Sequence, residues 1–480
     1  MVQVKPKKIQ PKAKAKTKVE IKPEVKIEQR KVSLTAETIS HEEIDSLCDW
    51  LKTYPKLTKG KLTQELEFEF AESVEAGGSV FVNSGSSANL LMFATLLDRG
   101  LLKRGDKVGI SGLCWSTDLS PIIQLGLIPV LLDISPMNLG IETKFLAAQI
   151  QEFDIKCVIS VSVLGIPGDI EDIASICARN GVILLEDNCE SLGSRYRTKP
   201  LGAFGLMSSW STYFSHHIST IEGGFVTFNN PELNDSLVSI RSHGWKREEG
   251  SYDYLTKHDS YRLIKDGVEN PGKLKINDSN KDKYEDSHIR TKDLKYSGRR
   301  MIYSYRDSGK NITEFNFPYT FYSPGFNIRN TEIGAFLGLS QLKKLPDIVN
   351  KRFSNFQYYC KQIQDWVNFH NQHDFLLREF SPMYFTDRNA DILVSSFALP
   401  LIHRNRDKIV KALNDGGVEC RPLIAGNIAQ HPIADRYEIL NRNNSRNLNL
   451  VHNFGFYMPN HMDMGTQDID YIVNIIKGVE

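Results

Sequence analysis

Cys157-Val-Ile-Ser-Val-Ser-Val163, Asp169-Ile-Glu-Asp-Ile-Ala-Ser-Ile-Cys-Ala-Arg179 and Val182-Ile-Leu-Leu-Glu186 follow one another along the chain. The first and third are apolar runs of strand length, and the second has the polar–apolar periodicity of a helix. Two buried strands joined through a helix read as a parallel pair, because parallel strands need a long crossover. Lys107-Val-Gly-Ile110 and Ile128-Pro-Val-Leu-Leu-Asp133 extend the alternation upstream. The expected fold class is therefore α/β, with a mixed, mostly parallel sheet covered by helices on both faces. Ligands of such sheets bind beyond the carboxyl ends of the strands.

Several polar groups fall at those ends. Ser79-Val-Phe-Val-Asn83 reads as a strand running into the turn Ser84-Gly85-Ser86-Ser87 and an apolar helix. Strand, Gly/Ser turn and helix aim free backbone N–H groups at an anion, although such a turn alone can be a simple N-cap. Trp115, in Gly112-Leu-Cys-Trp115-Ser-Thr, follows a second strand and either packs between elements or faces a ligand. Asp187 follows Val182–Glu186 in the run Glu186-Asp187-Asn-Cys-Glu190. A carboxylate at a buried strand end needs a cationic partner or a helix to cap. Further on, Ser211-Thr-Tyr-Phe-Ser-His216-His217-Ile-Ser-Thr-Ile-Glu222-Gly-Gly224 precedes the strand-like Phe225-Val-Thr-Phe228, which puts both histidines on a loop between strands. Adjacent histidines in extended chain point to opposite faces, so one at most faces a site. A structural or metal-ligating pair is the bland alternative.

Composition narrows the class. A chain of 480 residues with 41% hydrophobic content can bury a large core. Its net charge of +1 gives no electrostatic case for nucleic acid or a membrane surface. No apolar run is long enough to span a bilayer or to form a signal-peptide core. Seven scattered cysteines suit reduced thiols in a cytoplasmic protein better than a disulfide framework.

Taken together, these motifs resemble the sugar-nucleotide aminotransferases that use pyridoxal phosphate (PLP), the DegT/DnrJ/EryC1/StrS family. Their catalytic loop runs Ser-Phe-x-x-x-Lys-Asn and then Gly-Glu-Gly-Gly. Ser211 matches the serine, Glu222-Gly223-Gly224 matches the turn, and His216 falls where the Schiff-base lysine belongs. A histidine there is similar to the 3-dehydratase branch of the family. The resemblance runs from about residue 35 to the C-terminus, except for the polar stretch near 246–316. It implies a type I PLP fold, with Gly85, Ser86 and Ser211 on the cofactor phosphate, Trp115 stacked on the pyridine and Asp187 at its nitrogen. Glu190 would lie near the ring hydroxyl or C4′. It also implies that Asn327, in Pro324-Gly-Phe-Asn327, crosses a homodimer interface to the partner's cofactor phosphate, so that active sites are shared. His243 and Arg421 match segments on the substrate side.

The resemblance implies a chemistry as well. Histidine cannot hold PLP covalently, so the cofactor would work as the amine, pyridoxamine phosphate (PMP), with His216 as the base. A nucleotide-linked 4-keto-6-deoxyhexose, expected to be GDP-4-keto-6-deoxy-mannose, would lose its C3 hydroxyl, and L-glutamate would regenerate PMP. The related enzyme for CDP-linked sugars carries a [2Fe–2S] cluster, which needs four thiolates. Here Cys189 fits the first position but no cysteine follows before Cys360, so no iron–sulfur cluster or other metal is expected. An ordinary sugar aminotransferase, or a catalytically silent binding subunit of the same fold, are the alternatives.

Three regions complete the reading. Residues 1–33, with Lys5-Pro-Lys-Lys8 and Lys12-Ala-Lys-Ala-Lys16, have the composition of a solvated tail. Residues 34–345 form the expected large cofactor-binding domain. They include a polar insertion at about 246–316, which is either a lid or a solvated loop. Residues 346–480 mix helix-like and strand-like runs and are expected to form a smaller α+β domain. Near the N-terminus, Thr35–Leu51 and Lys61–Phe70 have helical spacing.

Overall fold

The computed structural model describes residues 31–245, 319–373, 392–443 and 445–479. The expected tail as far as residue 30 and the insertion lie outside the described residues. The helices are α1 (His41–Leu51), α2 (Lys61–Ser73), α3 (Gly85–Asp98), α4 (Ser116–Gln124), α5 (Thr143–Phe153), α6 (Ile170–Arg179), α7 (Asn234–Arg241), α8 (Glu332–His373), α9 (Arg406–Asp415), α10 (Ile433–Arg436), α11 (Arg446–Phe454) and α12 (Thr466–Lys477). The first nine strands are β1 (Gly78–Val82), β2 (Lys107–Ser111), β3 (Ile128–Leu132), β4 (Ile155–Val161), β5 (Ile183–Asp187), β6 (Arg195–Tyr196), β7 (Lys199–Pro200), β8 (Met207–Ser211) and β9 (Gly224–Phe228). The last four are β10 (Ile392–Leu393), β11 (Ala398–Ile402), β12 (Arg421–Pro422) and β13 (Gly455–Pro459).

Seven strands form the main sheet in the order β1-β9-β8-β5-β4-β2-β3. The pairs from β8 through β3 are parallel, and β9 runs antiparallel to both its neighbours. The expected α/β class, with a mostly parallel sheet, is thus observed. Side chains alternate between the faces, as the two-residue strand period requires. Val80, Val82, Cys157, Ile159, Ile183, Leu185, Val226 and Phe228 enter one core with Leu91 and Phe93 of α3 and Leu237 of α7. Val158 and Leu184 face the other way, toward Leu146 of α5 and Ile173 of α6. Phe81, Trp210 and Phe225 also face that way but pack on Leu66 and Phe70 of α2 and Leu342 of α8. Because both faces are covered, the strands read as continuous apolar runs. A second, antiparallel sheet of order β11-β13-β12 packs with α9 and α12 in a separate core.

Two boundaries differ from the sequence reading. Helix α1 starts at His41 rather than at Thr35, because Ser40 and Glu43 form a reciprocal capping box: the serine hydroxyl accepts from Glu43 N and the Glu43 carboxylate accepts from Ser40 N. Val32, the first buried residue among those described, pairs with Val418 through Val32 N to Gly417 O (2.9 Å). The division expected at 345/346 falls inside α8, whose 42 residues are continuous through Pro346. Among the described residues no helix is long and apolar enough to cross a membrane.

Helix α2 begins at a glycine N-cap with no side chain to cap it. The carboxylate of Glu332, buried in the first turn of α8, takes that role from across the fold. It accepts from Gly60 N (2.8 Å), Leu62 N (3.0 Å), Thr63 N (2.9 Å) and the Thr63 hydroxyl (2.6 Å). Glu332→Ala would orphan these donors and is expected to destabilise the protein by about 2–4 kcal/mol in denaturant unfolding. A change under about 0.5 kcal/mol, the range of ordinary surface substitutions, would contradict this account.

Candidate functional site

The site is built where the ends of β1, β5 and β8 meet the start of β9. Ser84 caps α3, its hydroxyl accepting from Ser87 N (3.1 Å). Among the described residues the N–H groups of Gly85 and Ser86 meet no protein acceptor, so both are free to bind an anion. Gly85 is buried so tightly that a Cβ there would lie 2.8 Å from both Cys189 Sγ and Ser211 Cβ. A Cβ on Gly224 would lie 2.5 Å from the Ser84 carbonyl carbon and 2.6 Å from Gly85 N. These contacts bring the Ser84–Ser87 turn, Ser211 and the Glu222-Gly-Gly turn together. The exposed Ser86 hydroxyl donates to Thr117 Oγ1 (3.1 Å), which ties in the turn that carries Trp115. Trp115 itself is 58% exposed at the start of α4, a large apolar ring facing solvent beside polar groups.

Asp187 is the last residue of β5 and is buried. One carboxylate oxygen accepts from Cys189 N (2.9 Å), the other from Asn89 Nδ2 of α3 (2.6 Å). The same Asn89 amide donates to Asp118 of α4 (3.0 Å), whose other oxygen accepts from Trp115 N (2.9 Å). Burial, with the Asp187 charge alongside, pushes the Asp118 carboxyl well above the usual range. Glu190, three residues past Asp187, accepts from Leu164 N (2.8 Å), and burial raises it to about 7. Neither Asn89 nor Asp118 emerged from the sequence reading. Asn89 lies in a helix that reads as apolar, and Asp118 as an ordinary first-turn acid.

The histidines separate as expected, although their loop is turned rather than extended. His216 is partly exposed, and its Nδ1 lies 2.6 Å from the Cys189 carbonyl. A carbonyl only accepts, so Nδ1 carries the proton and Nε2 presents its lone pair. Burial lowers the ring to about 4, which keeps it neutral and basic at Nε2. Desolvation thus displaces the ring below the ordinary imidazole range. His217 is buried with Nε2 against Ser395 O (2.9 Å), holding the loop to the segment before β11. Phe397 of that segment reaches the His216 ring, with centroids 5.2 Å apart. Arg352 of α8 is buried against Ser396 and Phe397 carbonyls and the Phe397 ring, another residue the sequence reading missed.

The remaining candidates stand at the margins. His243 and Asn327 form a second group with Arg329, which donates to Asn327 Oδ1 (3.1 Å), approaches His243 Nε2 (3.4 Å) and lies over Trp245. This group joins the sheet at β1, through Asn83 N to Ile328 O (2.9 Å). Beside Arg329 opens a cavity of about 480 Å³, lined also by Lys56, Lys59, Lys61 and Gln64. None of the residues gathered around Asp187 and His216 lines that cavity. Arg421 is exposed on β12, paired across to Tyr457 of β13. Burial first, then the Glu190 charge, pushes Tyr457 up to about 12, with Arg421 opposing. Arg421 thus connects to the site through Tyr457 and Glu190.

The donor set fits PLP or PMP. Free amides at a helix start and a serine hydroxyl suit a phosphate, an open indole suits an aromatic ring, and a buried carboxylate suits a pyridinium. His216 is similarly placed to work on such a ring, because the Cys189 residue that accepts from it also donates to Asp187.

Comparison with known proteins agrees. The model of the DegT/DnrJ/EryC1/StrS aminotransferase family matches residues 38–264 and 287–477. GDP-4-keto-6-deoxy-D-mannose 3-dehydratase of Escherichia coli O55:H7 is 28% identical over 93% of this chain and 98% of its own length. The enzyme of the same name from Yersinia pseudotuberculosis is 30% identical over 88% and 92%. A crystal structure of a GDP-4-keto-6-deoxymannose-3-dehydratase mutant with bound GDP-perosamine superposes with TM-score 0.72 at 26% identity, covering 92% of this chain and 99% of that one. Another such structure, with a trapped PLP–glutamate geminal diamine, gives 0.71 at 26% over the same shares. These neighbours identify the fold as the type I PLP fold.

Two outcomes follow from the geometry. Gly224→Ala would push the Ser84–Gly85 peptide outward and is expected to cost about 1–3 kcal/mol and weaken PLP binding; unchanged thermal stability and PLP titration would refute the close approach. His216 has a folded value of about 4 against 6.5 in the ordinary range, so the unfolded chain binds more protons in that window. Its contribution to stability is present above pH 6.5 and lost as the pH falls toward 4. His216→Gln should therefore flatten the fall of Tm across that interval, and parallel curves would argue against a desolvated ring.

Proposed function

The chain belongs to the DegT/DnrJ/EryC1/StrS aminotransferase family, a PLP-dependent family of sugar-nucleotide 3-dehydratases and aminotransferases, and from that premise we propose that it is a 3-dehydratase rather than an aminotransferase. Its substrate would be a nucleotide-linked 4-keto-6-deoxyhexose, GDP-4-keto-6-deoxymannose by analogy with the relatives, on a route to a dideoxysugar such as colitose. What supports the reading is the sequence resemblance that sets the imidazole of His216 where the family's catalytic loop has an amine.

When bound as PMP, the cofactor supplies an amine for the C4 ketone and a ring that accepts electron density. Gly85, Ser86 and Ser211 would hold its phosphate, and Trp115 would cover one face of the ring. Asp187 would keep a proton on the ring nitrogen, so that negative charge developing in the ring is neutralised locally. His216 Nε2 would take the proton from the cofactor's C4′, its direction fixed by the Nδ1–H bond to the Cys189 carbonyl. A carboxyl near neutrality, Glu190, could hold or return a proton beside it. His243 and Arg421 would contact the sugar nucleotide. Asn327 would serve the partner subunit's cofactor phosphate in a homodimer.

The overall reaction balances with glutamate as reductant. The C3 hydroxyl is replaced by hydrogen, a two-electron reduction, while glutamate is oxidised to 2-oxoglutarate and ammonia. Incubation with PMP, L-glutamate and GDP-4-keto-6-deoxymannose is expected to yield 2-oxoglutarate, ammonia and a 4-keto-3,6-dideoxy sugar in equal amounts. An amino sugar as the product would instead establish aminotransfer. His216→Lys should bond PLP covalently through the new amine, with visible absorbance, and lose dehydration. An unchanged rate and spectrum would overturn the role given to His216.

A further inference from the structure

The Asp187 carboxylate does not stand alone at the end of β5. Asp118 lies in the first turn of α4 and shares a donor with it, and both side chains are buried. One amide group, Asn89 Nδ2, donates to both at once, 2.6 Å from Asp187 and 3.0 Å from Asp118. With the Asp187 charge on the other side of that shared amide, ionising Asp118 would add repulsion to its own desolvation cost. The electrostatic surroundings offer no relief: Glu190 is a further acid on this side, and the thiols of Cys114 and Cys189 are driven upward by burial and by these same carboxyls. The described groups facing Asp118 are thus acids, thiols and one amide, with no cation among them.

We propose that Asp118 is a positioning residue for the cofactor: it carries the single proton of the carboxyl pair, donates it in a hydrogen bond to Asp187, and with Asn89 clamps Asp187 toward the ring nitrogen. The proposal rests on the PLP/PMP reading of the site. The proton remains on Asp118 while the Asp187 carboxylate is left as the anion that a pyridinium requires. The backbone geometry supports this division. Asp118 already accepts from Trp115 N (2.9 Å) and from Asn89, and Asp187 is the other carboxyl on that same Asn89 amide, the acceptor toward which its proton would turn. The same Trp115 N–H bond fixes the turn that presents the indole, so Asp118 links the two features expected to grip the ring, one at its face and one at its nitrogen.

Asp118→Asn keeps the shape and one acceptor oxygen and can donate an N–H to Asp187 while giving up one of the bonds from Asn89 and Trp115, whereas Asp118→Ala removes the donor and both acceptors. In the full-length protein freed of cofactor, infrared spectroscopy at neutral pH is expected to show the carbonyl stretch of a buried neutral carboxylic acid, diminished in Asp118→Asn. In absorbance titrations with PLP, Asp118→Asn should bind within about threefold of wild type and Asp118→Ala at least about tenfold more weakly, a loss of one hydrogen bond to a charged group. Identical infrared bands in wild type and Asp118→Asn, or an Asp118→Ala protein that binds PLP as tightly as wild type, would overturn the proposal. Should Asp118→Ala fail to fold, the infrared comparison with Asp118→Asn decides alone. Wild-type protein that binds neither PLP nor PMP would refute the cofactor reading itself, a result separate from the infrared test.

Discussion

The site depends on a close approach between two turns. Gly224 opens β9 with its Cα against the Ser84–Gly85 peptide, and Gly85 lies against Ser211 and Cys189. With side chains at either glycine, the helix start at α3 could not share a surface with the loop that carries His216. The approach is possible because β9 lies between β1 and β8 and runs against both. Its first residue therefore meets the carboxyl ends of its two neighbours, while a parallel strand there would begin at the opposite edge of the sheet.

From that junction the electrostatics follow. The carboxyl end of β5 delivers Asp187 and then Cys189 and Glu190, a short run in which backbone and side chains alternate in function. Cys189 donates its N–H to Asp187 and accepts from His216, so the acid and the base are held by one residue. Burial lowers the His216 ring and raises the Glu190 and Asp118 carboxyls. In each of these three groups desolvation favours the neutral form.

The segment that follows α8 adds a second constraint. His217 is fastened to Ser395, and Phe397 packs on His216, so the loop that carries both histidines touches the segment that enters β11. Arg352, buried in the long helix α8, donates to the carbonyls of Ser396 and Phe397 and holds that segment in place. The position of the His216 ring therefore depends on both sheets.

Much of this was legible in the chain itself. Continuous apolar runs alternating with helical periodicity determined a parallel, doubly covered sheet, since only strands buried on both faces lack polar alternation. The Ser84–Ser87 turn, Asp187 and the loop of His216 were visible as local motifs because each depends on neighbouring residues. What the tertiary structure decided is how groups distant in sequence meet. Asn89 and Asp118 become partners of Asp187 only when α3 and α4 pack over the same strand end, and no local pattern marks a residue whose partner lies on another element. The His216 tautomer and its lowered basicity likewise arise from the Cys189 carbonyl and from burial. Covalent order sets which groups a strand end can offer; packing sets which of them share a proton.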